Sequence, residues 1–97
     1  MYEVTFLPSA YKEWQKLPVS VRDQFTKVLK RRQTAPRLPK HKLSGHADVY
    51  KIKVTSPQYR LAYRVDDERI VIEVICAAPR DKIYSHLGDR LAKHLKS

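Results

Sequence analysis

Lys51, Lys53 and Arg60 stand on two short stretches, VYKIKVT (49–55) and YRLAYRV (59–65), separated by Ser56-Pro57-Gln58. Tyr50, Ile52 and Val54 alternate with Lys51, Lys53 and Thr55, and Tyr59, Leu61, Tyr63 and Val65 alternate with Arg60, Ala62 and Arg64. Period-2 alternation of β-branched and aromatic residues around a short turn predicts an antiparallel hairpin with one face in the core. Its other face gathers Lys51, Lys53, Arg60 and Arg64 within about two strand spacings. Like charges on paired strands repel, so that face is destabilising unless something negative sits on it. An RNA phosphate is one such group; a solvated strand face is the plainer alternative.

RNA carries its own nucleophile, the 2′-hydroxyl. Cleavage needs a base for that proton, positive donors around the phosphorane and a donor for the departing 5′-oxygen. In-line geometry supplies much of the remainder. A lysine can serve as the base when neighbouring cations lower its pKa, and Lys51, Lys53 and Arg60 offer that crowding. Other chemistries find little support. His41, His46, His86 and His94 are scattered, with no Cys/His or carboxylate cluster at ligand spacing, so neither a metal nor another cofactor is expected. Gly45 and Gly88 are the only glycines, too few for a phosphate-cradling loop.

The 97 residues fit one domain, 1–97, and the 42% hydrophobic fraction is that of a globular protein. Twenty Lys and Arg against ten Asp and Glu leave a formal charge of +10, which predicts a polyanionic or acidic partner. Nucleic acid is the first candidate, a membrane surface the second and an acidic protein the third. No signal-peptide pattern opens the chain, and no apolar stretch is long enough to span a bilayer. The single Cys76 cannot form an internal disulfide, in keeping with a reducing cytoplasm, and reads as a buried, inert thiol.

The elements that must position these cations follow in order. Tyr2–Phe6 alternates as a strand. Pro8-Ser9 opens a helix with Ala10, Trp14 and Leu17 on its buried stripe. Pro18 ends it, and Ser20 with Asp23 predicts the capped start of a second helix buried through Val21, Phe25, Val28 and Leu29. The outer face of that helix is expected to carry Arg22, Lys27, Lys30, Arg31 and Arg32, either solvated or as a nucleic-acid surface. Residues 35–45 form a loop whose Lys40, His41 and Lys42 either guide a ligand toward the hairpin or are merely solvated. After the hairpin, 70–78 reads as a central strand, and Tyr84, Leu87, Leu91 and Leu95 predict a C-terminal helix. The fold class is α+β, ordered β-α-α-β-β-β-α: a small antiparallel sheet with the N-terminal helical hairpin on one face and the basic residues on the other.

The sequence resembles the RelE toxins of the RelE/ParE toxin–antitoxin superfamily over almost its whole length. The resemblance rests on Lys12-Glu13-Trp14-Gln15-Lys16-Leu17, Lys42-Leu43-Ser44-Gly45, Tyr50-Lys51-Ile52-Lys53, Tyr59-Arg60-Leu61-Ala62-Tyr63, and Arg80 with Tyr84. It implies metal-independent cleavage of mRNA in the ribosomal A site, leaving a cyclic phosphate and a 5′-hydroxyl. It further implies Lys51 as general base, Lys53 and Arg60 as phosphorane stabilisers, Arg80 at the leaving oxygen and Tyr84 orienting the substrate. Lys30, Arg31, Arg32, Lys40, Lys42 and Arg64 become candidate contacts to message or ribosomal RNA. A cognate antitoxin is implied as partner. The chain departs from its relatives at Ser44, where arginine is frequent, and at Ala77-Ala78-Pro79-Arg80, where two arginines can follow the last strand. His86 is a secondary acid–base candidate. Two other readings stand beside this one: a ParE-like inhibitor of DNA gyrase on the same fold, and a non-enzymatic basic RNA-binding module.

Overall fold

A computed structural model describes residues 1–94, so the expected contribution of Leu95 lies outside the described residues. The elements are β1 (Glu3–Phe6), α1 (Pro8–Lys16), α2 (Val19–Arg32), a 3-10 turn (Pro39–His41), β2 (Val49–Thr55), β3 (Gln58–Asp66), β4 (Val71–Pro79) and α3 (Ile83–His94). The predicted order is therefore observed.

The four strands form one sheet in the order β1-β4-β3-β2. β2, β3 and β4 are an antiparallel meander, but β1 joins β4 in parallel, with Glu3 opposite Val71 and Phe6 opposite Val74. The sheet is thus mixed rather than wholly antiparallel. Alternation reports which side chains share a face, not the direction of a neighbouring strand, so this feature was invisible in the sequence.

Register divides the sheet into two faces. Tyr50 lies opposite Tyr63, Ile52 opposite Leu61 and Val54 opposite Tyr59. These buried or half-buried groups form the core with the helical hairpin, where Trp14 stands 5.3 Å from Phe6 and 6.4 Å from Phe25 between ring centroids. The second helix begins one residue before the expected cap, with Pro18 as its N-cap and no side-chain capping bond. Pro18 already sets the backbone turn, so Ser20 and Asp23 fall inside the helix. Val21, Phe25 and Leu29 are buried as expected, while Val28 is only half-buried.

On the opposite face Lys51 pairs with Ala62 and Ala62 with Cys76, while Lys53 pairs with Arg60 and Arg60 with Ala78. Ala62, Cys76 and Ala78 are small and fully covered. They leave room for α3, which buries Ile83, Leu87 and Leu91 against β4 and β3. Close packing of a helix on a sheet requires such a flat seat. The cations therefore do not have this face to themselves; they flank a docked helix.

Candidate RNA-cleavage site

The hairpin sets the central geometry. Lys53 and Arg60 are cross-strand partners, and Lys51 precedes Lys53 on the same face, about 7 Å along the strand. Lys53 is exposed, whereas Lys51 and Arg60 are half-buried. Arg60 is not loose: its Nη1 donates to the Tyr59 carbonyl at 3.1 Å and the Val54 carbonyl at 3.3 Å. Anchoring through one nitrogen holds the guanidinium plane beside the hairpin end and leaves its remaining donors for a ligand.

α3 brings Tyr84 to this group. Tyr84 is 57% exposed and, with Lys51, Lys42, Ser44 and His46, lines a cleft of about 350 Å³ whose inner wall is Leu43, Leu87 and Leu91. Lys51, Arg60 and Tyr84 also share a narrow gap under the helix with Ala62 and Ile83. Four of the five expected catalytic residues, Lys51, Lys53, Arg60 and Tyr84, thus gather along one flank of α3. The fifth, Arg80, lies just past β4, where its amide donates to the Gln58 carbonyl at 3.2 Å and its Nη1 to Gln58 Oε1 at 3.0 Å. Ala78, two residues earlier, pairs with Arg60, so Arg80 borders the same end of the sheet.

The candidate binding residues divide. Lys42 lines the cleft, and Lys40 sits in the adjoining 3-10 turn. His41, in the same turn, is pushed below its ordinary value of 6.5 by burial and then by the positive charges of Arg32, Lys40, Lys51 and Lys53. Those cations thus form one electrostatic neighbourhood. Arg64 is held at the other end of β3, 3.5 Å from Glu73 and 3.7 Å from Asp66, apart from the Lys51 group. Lys30 lies on the helical-hairpin side, in a groove with Val4, Phe6 and Trp14.

Arg32 corrects the expected outer face of α2. It is 6% exposed, and its Nη1 donates to the Tyr63 hydroxyl at 2.8 Å, which donates onward to the Pro36 carbonyl at 2.7 Å. Arg32 continues the buried stripe of Phe25 and Leu29 and serves the core, not a ligand.

Sequence reasoning also missed what fixes α3. Arg90 donates from Nη1 and Nη2 to the two oxygens of Glu13, both at 2.7 Å, and from Nη1 to the Ile75 carbonyl at 3.0 Å. Glu13 also accepts the Ala77 amide at 3.0 Å, and its Oε2 stands 3.2 Å from His86 Nδ1. This clamp ties α1 to α3 around the edge of β4 that β1 leaves uncovered. Burial alone would raise the Glu13 carboxyl, but Arg90, the Ala77 amide and His86 outweigh it and hold it below 4.5. His86 therefore faces Glu13 on the opposite flank of α3 from the cleft. No local spacing signals a pair so far apart in the chain. Among the described residues, no group of three His, Cys, Asp or Glu side chains is placed to hold a metal ion.

Residues 4–84 match the family described as ParE toxin of type II toxin-antitoxin system, parDE. The chain is also 41% identical over 92 residues to mRNA interferase toxin RelE of Escherichia coli (strain K12), covering 93% of this chain and 97% of that protein. The chain belongs to the RelE/ParE toxin family. The backbone agrees with RelE structures. A mutant of E. coli toxin RelE in the free state superposes with a TM-score of 0.85 at 40% identity, over 93% of this chain and 97% of that one. The toxin in the intact E. coli RelBE toxin-antitoxin complex gives 0.79 at 43% identity, over 81% and 96% respectively. Lys51, Arg60 and Tyr84 thus lie beside the docked C-terminal helix of a backbone like that of RelE.

Proposed function

We propose that this single-domain chain is the toxin of a type II toxin–antitoxin pair and an mRNA interferase: an endoribonuclease that cuts mRNA in the ribosomal A site and so inhibits translation in the cytoplasm. The observation that carries the reading is the Lys51, Lys53, Arg60 and Tyr84 cluster on the exposed flank of α3, in a chain 41% identical to an mRNA interferase. Among the described residues no helix is long and apolar enough to cross a membrane. The partners are a cognate antitoxin, the message and ribosomal RNA.

In this reading the Lys51 amine takes the 2′-hydroxyl proton as the 2′-oxygen attacks the adjacent phosphorus. Lys53 and Arg60 stabilise the charge that develops on the phosphorane oxygens, where fixed donors lower the barrier most. The bond from phosphorus to the 5′-oxygen breaks. Arg80 offsets charge on that oxygen, which takes up a proton from water, and a 2′,3′-cyclic phosphate and a 5′-hydroxyl remain. Tyr84 orients the nucleotide. The residues present supply this chemistry without a metal ion. Lys40 and Lys42 draw the phosphate backbone in, while Lys30, Arg31 and Arg64 touch RNA outside the reacting group.

Primer extension on a defined mRNA, with and without programmed ribosomes, tests the reading. Wild type should cut within the A-site codon only when ribosomes are present. Lys51→Ala and Arg60→Ala should each lower the cutting rate about 10²–10⁴-fold while retaining the wild-type circular dichroism. Undiminished cutting by both variants would remove the proposed site. The ParE description of the matching family keeps one second reading in view, inhibition of DNA gyrase. Gyrase-dependent DNA breaks with intact mRNA would reverse the order. RNA binding without either product would leave only a binding module.

A further inference from the structure

β1 pairs with β4 only as far as Val74. Past that point Glu13 and Arg90 take the place of a strand: Glu13 accepts the Ala77 amide, and Arg90 donates to the Ile75 carbonyl. The two also bind each other through paired bonds of 2.7 Å, with their side chains only 20% and 17% exposed. A neutral side chain at either position could satisfy one backbone group. The charged pair does more, because a bidentate arginine–carboxylate fork fixes orientation as well as distance. The remaining contacts of α3 do not fix orientation. Ile83, Leu87 and Leu91 are buried against β3 and β4, and apolar attraction is non-directional. It sets how deep the helix sits, not how far it is turned about its axis. At 3.6 residues per turn, Arg90 lies about 120° round α3 from Tyr84, with Leu87 between them. The clamp and the tyrosine therefore stand on opposite flanks of one buried helix face.

We infer that Glu13 and Arg90 are positioning residues for RNA cleavage, which fix the rotation of α3 and so aim Tyr84 at the nucleotide beside Lys51. This deepens the endoribonuclease reading and rests on it. Tyr84 is more than half exposed, so its own packing does little to hold it, and its place depends on the helix that carries it. Turning α3 by about 20° would move a side-chain tip about 6 Å from the axis by about 2 Å. Misplacement of about 1 Å can slow a reaction about 10²-fold. His86, one turn before Arg90, faces the same carboxylate and adds to the clamp flank. Neither Glu13 nor Arg90 lines the cleft or the gap at Lys51, so both act through Tyr84 rather than on RNA.

The test is single-turnover primer extension with the full-length toxin on saturating programmed ribosomes. Wild type, Arg90→Ala, Arg90→Lys, Tyr84→Ala and the Arg90→Ala/Tyr84→Ala double variant are compared, with thermal melts to establish folding. Arg90→Ala should cut about 10–10²-fold more slowly. Its affinity for ribosomes should stay at the wild-type value, since the loss falls on the reacting geometry and not on binding. A clamp that served stability alone would lower the melting temperature and leave the rate of the folded protein unchanged. Tyr84→Ala should cost at least as much as Arg90→Ala, and the double variant should cut no more slowly than Tyr84→Ala, because the clamp then has nothing to aim. Arg90→Lys keeps the charge without the fork and should fall between wild type and Arg90→Ala. Glu13→Gln should show the same dependence on Tyr84. A wild-type rate in folded Arg90→Ala would overturn the inference, as would losses that multiply in the double variant or no loss in Tyr84→Ala. If Arg90→Ala does not fold, Arg90→Lys takes its place in the same cycle and decides by the same outcomes. A wild type that cuts no message on ribosomes would instead refute the underlying reading.

Discussion

Arg32 and Arg60 carry the same guanidinium, and the fold uses them in opposite ways. Arg60 is anchored through one nitrogen and keeps donors for a ligand; Arg32 is spent inside the core on Tyr63. Tyr63→Phe removes the acceptor of Arg32 and the donor to Pro36. It should destabilise the protein by about 1–3 kcal/mol in urea unfolding, the cost of buried polar groups left unpaired. Cys76 makes a second residue-level prediction. Burial, and then the negative charge of Glu13, push its thiol up to about 12. Iodoacetamide at pH 8 should therefore modify the unfolded chain and spare the native one. The shared face of Lys51, Lys53 and Arg60 was legible in the sequence because period-2 alternation fixes a face. The place of Arg32 was legible in principle, since helical spacing continues the Phe25 and Leu29 stripe to it. A positive charge on that stripe was read as surface, against what the period says.

At the scale of elements, α3 decides how the site is presented, and Glu13 with Arg90 decides how α3 is held. Because the folded-state pKa of Glu13 lies below its ordinary 4.5, the clamp stabilises the protein fully above that value. Its contribution is lost as pH falls through the lower, folded-state value. Glu13→Gln should therefore lose stability at pH 7 and flatten the acid limb of a melting-temperature profile taken from pH 6 downward. An unchanged profile would show that the clamp is too hydrated to matter. Gly88→Ala should raise stability by about 0.8–1 kcal/mol in the same assay, since the added methyl meets open space within a helix. The strands and helices were read correctly from period and prolines. The direction of β1, the start of α2 and the α1–α3 clamp were not, because each depends on a neighbour distant in sequence.

At the scale of the molecule, a formal charge of +10 is spread over more than the face that carries Lys51, Lys53 and Arg60. Lys30 and Arg31 lie toward the helical hairpin, away from the cleft. Affinity for ribosomes should fall steeply and linearly in a plot of log affinity against log salt. Lys30→Ala and Arg31→Ala should each reduce that slope by about one, and an unchanged slope would show the residue solvated rather than on RNA. Sedimentation with ribosomes across a salt series measures both. Net charge pointed to a polyanionic or acidic partner from sequence alone; which cations share a face required the register and the docked helix.

The parallel pairing of β1 with β4 also orders events in time. Glu3–Phe6 leaves the ribosome well before its strand neighbour, Val71–Val74, is synthesised. Pairings between segments so distant in sequence form late, because loop-closure entropy must first be overcome. The nascent chain therefore emerges with Lys51, Lys53 and Arg60 already translated but without the sheet and helix that orient them. A stalled nascent chain ending at Asp66 should remain open to protease, whereas one extended beyond the exit tunnel past residue 94 should resist it.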